Sequence, residues 1–391
     1  MAGGWTERSA AAKERAAALI GRTLSDRYRI VEVIAMGGMG AVYRAEHLTM
    51  RKQIAVKVLH PEVEDFPELS ARFEREAVAG AHIQHPNVAA ASDFGTFDGD
   101  SRFLVLEHVD GITLKELIDF GPVEPDRAVS IARQTAAALA AVHDKGIVHR
   151  DIKPQNIMLV DKGDQEDLVK LIDFGFAKVP VEELSSVARD DDSPESALTR
   201  AGTVVGTMGY LAPEAALGTG AITPQSDLYA LGVILYQMLA GKPPFQGKDA
   251  VEMFMKHRTS PVPPLRQQDP NVSVPSGLEA VVRKLLEKDP ARRYASADEL
   301  IEALDQAMNE PAEDPARPRA RDDATSTSAA TRQIAPPANR SSGATRWIAL
   351  LVGGLVIGGG LIAFFELTRE APSPTTAPTA TATTTATATA T

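Results

Sequence analysis

The sequence predicts an α+β fold: a smaller strand-rich part with one major helix, then a larger and mainly helical part, then one transmembrane helix near the C-terminus. Three observations carry this reading. Strand-forming stretches cluster early, at Tyr28–Ile34, Ile54–Leu59 and Phe103–Val109. Helical apolar spacing takes over at Pro125–His143 and Leu228–Ala240. Finally, Trp347–Phe365 is an uncharged apolar run of 19 residues, long enough to cross a bilayer. Strands followed by helices, rather than a regular alternation, specify α+β.

Composition narrows the function. The 391 residues leave room for one large domain plus extensions. A hydrophobic content of 44% is ordinary for a globular protein. A net charge of −11 argues against a general nucleic-acid partner. With no cysteine there is neither a disulfide nor a cysteine metal site. Residues 1–24 are Ala-rich and charged without a long apolar core, so no secretory signal is expected there.

Taken in order, residues 1–27 are an N-terminal extension with a short helix over 6–20, either loosely attached or a docking element. Tyr28–Ile34 is a strand. It leads into Ala35–Tyr43, a turn whose glycines let backbone N–H groups approach an anion with no Cβ in the way. Ile54–Leu59 is the next strand, with Lys57 inside it. Pro67–Ile83 is a helix, with Leu69, Phe73, Ala77, Gly80 and Ala81 tracking one face and Glu74 and Glu76 beside it. Asp93–Gly95 and Phe103–Val109 flank an Asp98-Gly99 turn. Gly111–Phe120 and Pro125–His143 read as helices. The polar stretch His149–Asn156 lies between the Ala-rich run Ala128–His143 and the strand-like Ile157–Val160. A second strand, Leu168–Ile172, ends on Asp173-Phe174-Gly175, seventeen residues beyond Asn156. This spacing suits a hairpin whose ends aim a base, an amide and a carboxylate at one point. The run up to Ala212-Pro213-Glu214 is polar and acidic, rich in Ser and Thr. Ser226-Asp227 caps Leu228–Ala240, which Gly241, Pro243 and Pro244 end.

The last helix of the domain ends near residue 304. Residues 305–346 have the Pro, Ala, Arg, Ser and Thr composition of a linker. Arg332, Arg340 and Arg346 precede the apolar run 347–365, and Arg369 follows beside Glu366 and Glu370, so the preceding domain is expected on the cytoplasmic side. Gly354 and Gly358 are spaced to dimerise such a helix; with Gly353, Gly359 and Gly360 nearby, they equally suit a flexible one. Residues 366–391 form a short Thr/Ala-rich tail.

His149–Asn156, Asp173–Gly175, Ala35–Tyr43, Lys57 and Ala212–Glu214 together resemble the motifs of the eukaryotic-type (Hanks-type) serine/threonine protein kinases. Gly37–Tyr43 and Gly206–Glu214 look like the bacterial members. The resemblance covers residues 28–304 and implies a two-lobed kinase fold with a hinge after the Phe103–Val109 strand. It implies Asp151 as the base at the substrate hydroxyl and Lys153 as the cation on the transferred group. Lys57 would pair with the α- and β-phosphates, and Glu76, preferred over Glu74, would pair with Lys57. Asn156 and Asp173 would hold Mg²⁺ through hard oxygen ligands. ATP would lie under Ala35, Met36, Gly37, Gly38, Met39 and Gly40. Its base would sit between Ile34, Val42, Ala55 and Met158, against Leu106 and the backbone of Glu107, His108 and Val109. Arg150 implies control by a phosphate on the activation segment, with Thr199 and Thr203 as preferred sites. Thr207 would contact Asp151 and Lys153, Asp227 would hold the catalytic loop, and Arg293 would pair with Glu214. One departure stands out: the family's first loop glycine is Ala35, which implies a stiffer loop.

The expected function is transfer of the ATP γ-phosphoryl group to protein Ser/Thr hydroxyls in signal transduction, with autophosphorylation, by a single-pass protein of the inner (plasma) membrane. Protein substrates and a second copy of the chain are the expected partners. Ala35 is the one feature that favours a non-catalytic scaffold. The long activation segment disfavours a small-molecule phosphotransferase.

Overall fold

The computed structural model describes residues 12–37, 40–60, 73–74, 77–78, 80–98, 101–163, 165–173, 208–217, 219–268 and 274–309. All fall in the first of two compact units, Met1–Pro318. Gly38, Met39, Glu76, Phe174, Gly175, Thr199, Thr203, Thr207, residues 310–346 of the linker, the apolar run 347–365 and the tail lie outside the described residues. The linker expected from residue 305 starts later, because the last helix runs Ala297–Asn309 with Leu304 and Ala307 buried, so 305–309 belong to the domain. Among the described residues no helix is long and apolar enough to cross a membrane.

The first lobe is a six-stranded antiparallel sheet in the order β1-β2-β3-β4-β6-β5. Its strands are β1 (Thr23–Leu24), β2 (Tyr28–Met36), β3 (Gly40–His47), β4 (Lys52–Leu59), β5 (Ala91–Phe97) and β6 (Ser101–Glu107). Strand alternation divides β4 cleanly. Ile54, Val56 and Val58 join Tyr28, Ile30, Tyr43, Phe103 and Val105 in one buried cluster. Leu59 on the opposite face packs with Leu104, Phe73 and Ala77, the last two from the predicted helix. Gly80 of that helix is also buried, but Ala81, expected on the same face, is exposed.

A short helix α1 (residues 12–18) and β1 precede Tyr28 and dock on this sheet, with Ala16 buried in its core. Arg22 binds Asp98 through two contacts, of 2.9 and 2.7 Å, and Arg27 pairs with Asp93 at 2.7 Å. The segment next to one sheet edge thus reaches the strand at the other edge, and the sheet curls. Part of the extension is therefore docked.

The second lobe is built on α5 (Pro224–Ala240), whose residues from Ser226 to Ala240 are all buried. Around it lie α3 (Leu114–Asp119), α4 (Pro125–His143), α6 (Ala250–Thr259), α7 (Leu265–Gln268), α8 (Ser276–Leu285) and α9 (Ala297–Asn309), following α2, the helix through Phe73 and Ala77. A helix apolar on every side is stable only when surrounded. The stripe Leu278, Val281, Val282 and Leu285 of α8 supplies part of that cover. Two sequence expectations need correction. The helix begins at Pro224, and its N-cap is Thr223, whose N–H donates to Ser226 Oγ at 3.1 Å, so Ser226-Asp227 is not the cap. Asp227 falls in the first turn and is free for another task. Likewise Gly111–Phe120 is not one helix. Ile112–Thr113 is a strand, β7, which pairs with β8, and Thr113 then caps α3. A Cβ at Gly111 would stand 2.2 Å from the Leu159 carbonyl oxygen, so only glycine allows this approach.

The hairpin expected over 157–172 forms. β8 (Ile157–Lys162) and β9 (Gln165–Leu171) pair antiparallel, and with β7 they make the sheet β7-β8-β9.

Candidate active site

The polar stretch between α4 and β8 folds back on itself. Arg150 adopts φ 65°, the left-handed region that costs a non-glycine residue roughly 1–2 kcal/mol. Asp227, 2% exposed, holds it there. Its Oδ2 accepts from the His149 N–H at 2.8 Å and its Oδ1 from the Arg150 N–H at 2.9 Å. His143, at the end of α4, meets Oδ2 at 2.9 Å. The buried helix α5 thus sets the loop from below.

Asp151, Lys153 and Asn156 converge above this bracket. Lys153 Nζ donates to Asp151 Oδ2 at 2.9 Å. Asn156 lies in the 3-10 turn Pro154–Asn156 and is buried. Its Nδ2 donates to the Asp151 carbonyl at 2.8 Å and to Oδ2 at 3.2 Å. Because the amide nitrogen faces Asp151, Oδ1 is the oxygen left for another ligand. The Ile172 N–H donates to the Asn156 carbonyl at 2.9 Å, fixing the residue before Asp173 to the same turn. Beside Asp151 a shallow, open recess is lined by Arg150, Ile152, Tyr210, Leu211, Ile222 and Asp227, among others.

Asp173 also takes positive φ, 52°. Its Oδ1 pairs with Lys57 Nζ, which joins the two lobes across 116 positions of sequence. Lys57 stands on the cleft side of β4. It is the cross-strand partner of Val42 and of Leu104, while Ala55 is the partner of Leu106. Cross-strand partners share a face, and this face lies opposite the Ile54–Val56–Val58 cluster. Met158 on β8 pairs with Thr113 and Lys170. Ile34 lies at a register shift of β2 and is half exposed. The β2–β3 turn closes through Gly37 N–H to the Gly40 carbonyl at 2.9 Å, and Ala35 is the partner of Val42. Met36, at the end of β2, is exposed.

At the end of β6, the Glu107 N–H donates to the Ala90 carbonyl at 2.8 Å, and Glu107 Oε2 accepts from Lys170 Nζ at 2.9 Å. Val109 lies two residues beyond the end of β6 and is partly buried. Among the described residues there is no cluster of three or more His, Cys, Asp or Glu that could hold a metal alone. The oxygen donors here, Asn156 Oδ1 and Asp173, fit a hard cation that shares its shell with water and phosphate.

The structure therefore brings Lys57 to Asp173 and Asp151 to Lys153 and Asn156. Arg293, with its guanidinium fully buried, pairs in two contacts with Glu214, at 2.7 and 2.8 Å. Burial alone would raise the Glu214 carboxyl, but hydrogen bonds from Arg293 and Ser226 hold it below its ordinary value. Sequence reasoning missed the support beneath β9. Asn87 Nδ2 donates to the Val169 carbonyl at 2.8 Å and to Gln134 at 3.1 Å, and Arg127 grips Asp167 at 2.7 and 2.8 Å. A polar residue on an amphipathic helix such as α4 reads as solvated, so no local signal marked Arg127 or Gln134.

A family model for the protein kinase domain matches residues 28–306. The serine/threonine-protein kinase pkn3 of Myxococcus xanthus is 39% identical over 280 residues, 71% of this chain and 49% of its own length. PrkC of Bacillus subtilis is 38% identical, with 72% of this chain and 40% of its own length covered. PknB of Mycolicibacterium smegmatis is 38% identical over 333 residues, 83% of this chain and 49% of its own. Among solved structures, the kinase domain of Mycobacterium tuberculosis PknI superposes with a TM-score of 0.54 at 28% identity, over 73% of this chain and 98% of that domain. The two lobes and the polar centre between them define a phosphotransferase architecture. The chain belongs to the protein kinase family. It spans about half or less of the length of these curated relatives.

Proposed function

We propose that this chain is a serine/threonine protein kinase of the bacterial Hanks type that takes Mg-ATP and protein hydroxyls as substrates. The observation that carries the reading is the meeting of Lys57 with Asp173 across the cleft, next to the Asp151–Lys153–Asn156 cluster. Val42, Ala55 and Met158 would enclose the base, with the backbone of Glu107 and Val109 at its edge. Lys57 would hold the α- and β-phosphates. Asn156 and Asp173 would hold Mg²⁺, which when bound neutralises charge on the phosphates. A peptide in the recess lined by Tyr210 and Leu211 would bring its hydroxyl to Asp151. As the new bond forms between that oxygen and the γ-phosphorus, the bond to the β-bridging oxygen breaks, and Asp151 takes the hydroxyl proton. Lys153 then offsets charge on the transferred group. Relatives named serine/threonine-protein kinases support the class of acceptor.

Incubated with Mg-ATP, the purified chain should incorporate phosphate on Ser or Thr, read by mass spectrometry, and Asp151→Asn should abolish it. Equal inertness of both proteins would defeat the enzymatic reading and favour a scaffold. We propose further that 347–365 anchors the kinase as a single-pass protein, with the domain on the cytoplasmic side. Deleting 347–391 should then move the protein to the soluble fraction with its activity kept; continued sedimentation with membranes would defeat the anchor.

A further inference from the structure

At the end of β6, one carboxylate ties three separate pieces of chain together. Glu107 Oε2 accepts from Lys170 Nζ on β9 at 2.9 Å, and from the Ala90 N–H at 3.4 Å. The Glu107 N–H donates back to the Ala90 carbonyl at 2.8 Å. Ala90 ends a segment that is itself laced to β9. Leu171 N–H donates to the Asn87 carbonyl at 2.8 Å, and Ala89 N–H donates to the Leu171 carbonyl at 3.0 Å. Val88 and Leu171 form a parallel bridge. The pair is half-buried, with side-chain exposures of 15% for Lys170 and 31% for Glu107, so water screens it incompletely.

Lys170 has no other role in the chemistry above. Its register is informative. It is the cross-strand partner of Met158, which would form the floor under the base, and it stands three residues before Asp173. Glu107 stands two residues before Val109, whose backbone would meet the edge of the base. The ion pair therefore spans the distance between the edge of the base site and its floor.

We propose that Lys170 is a positioning residue for the nucleotide. By holding the Glu107 carboxylate, it fixes the last residue of β6 on β9, the strand that pairs with Met158 and leads to Asp173. The inference rests on the kinase reading and adds to it a side chain that touches no substrate. Losing the strap lets the hinge backbone shift relative to the floor of the base site. Affinity for the nucleotide falls, while the groups that move the phosphoryl stay in place. The signature is a rise in KM for ATP without an equal fall in kcat, and with no change in KM for the peptide.

The test compares the full chain with its Lys170→Met and Lys170→Arg variants. Binding of Mg-ATP is followed by calorimetry, and initial rates are measured at varied ATP and varied peptide. Lys170→Met should weaken ATP binding on the order of tenfold, about 1.4 kcal/mol. Lys170→Arg keeps the charge and should restore binding. Thermal unfolding checks that each variant is folded, and the charge-swapped double variant Glu107→Lys with Lys170→Glu should recover part of the loss if Lys170→Met is unstable. Unchanged ATP affinity in folded Lys170→Met overturns the strap and leaves the kinase reading standing. A wild-type chain that binds no Mg-ATP overturns both. Equal rises in KM for ATP and peptide would mark general loosening and also overturn it.

Discussion

Asp227 shows how one buried carboxylate can organise a site from beneath it. It accepts from two consecutive N–H groups, His149 and Arg150, and meets His143 besides. Without it the strained Arg150 backbone has no compensating bond, and two buried donors lose their acceptor. Each unsatisfied buried donor costs about 1–3 kcal/mol. Asp227→Ala should therefore lower unfolding free energy by roughly 2–4 kcal/mol and reduce turnover with it. Asp227→Asn keeps one acceptor oxygen and should lose less. Denaturant titration checks both, and a wild-type midpoint in Asp227→Ala would remove the bracket from the account. Residue identity alone did not reveal this role. Ser226-Asp227 ahead of an apolar run resembles a cap, but Thr223-Pro224 three residues earlier is the stronger start, with proline at the first helical position. The cap therefore went to Thr223, and Asp227 was free to face the catalytic loop.

At the scale of elements, the β2–β3 turn depends on one glycine more than on its neighbours. A Cβ at Gly40 would stand 2.1 Å from the Val58 carbonyl oxygen, a backbone atom that cannot move without shifting β4. Val58 neighbours Lys57, so the displacement reaches the lysine proposed to hold the phosphates. Ala35, by contrast, already carries a methyl as the partner of Val42, at the end of a register shift in β2. Gly40→Ala should weaken ATP binding roughly tenfold or more, whereas Ala35→Gly should change it by less than about threefold. The reverse order would show that the departure at Ala35 dominates the loop. The strands and long helices were legible because their patterns are long: β4, α4 and the β8–β9 hairpin run close to the expected bounds. The two-residue strand β7 was not, since Ile112–Thr113 is too short for any period and Thr113 also belongs to the cap of α3. The docking of α1 was equally hidden, because a single buried alanine, Ala16, leaves no amphipathic stripe. That Lys57 and Asp173 share one site was implied by family resemblance; their direct contact was not expected, because the resemblance paired Lys57 with Glu76 and no local pattern pairs residues 116 apart.

The whole second lobe stores a pH dependence away from the active centre. His257, fully buried, places Nδ1 3.0 Å from the Tyr229 hydroxyl and its ring edge-on to Phe245 at 5.0 Å. Burial, reinforced by Lys288 and opposed by the Gly209 backbone, pushes its imidazole down to about 4 from an ordinary 6.5. Lys288 sits over the Phe245 ring at 4.4 Å, and burial, with Arg293 nearby, lowers its amine to about 8 from 10.5. Both groups are depressed bases, so in each window the unfolded chain holds the extra proton and stability rises with pH. For His257 the window runs from about 4 to 6.5, and for Lys288 from about 8 to 10.5. Glu214, held low, acts in the same direction as pH falls below its ordinary 4.5. The buried tyrosines oppose the trend above pH 10. Burial raises Tyr236 and Tyr294 to about 12, so there the folded chain keeps protons that the unfolded chain loses. Unfolding free energy should thus drop from pH 6.5 to 4, climb modestly from 8 toward 10, and fall beyond. One unit of pKa difference is worth about 1.4 kcal/mol, which bounds each step at a few kcal/mol. Urea titrations across pH 4–11 read the profile directly. His257→Gln should flatten the acid limb, Lys288→Met should erase the rise above pH 8, and an acid limb unchanged in His257→Gln would mean that the histidine takes its proton in the folded lobe as readily as in water.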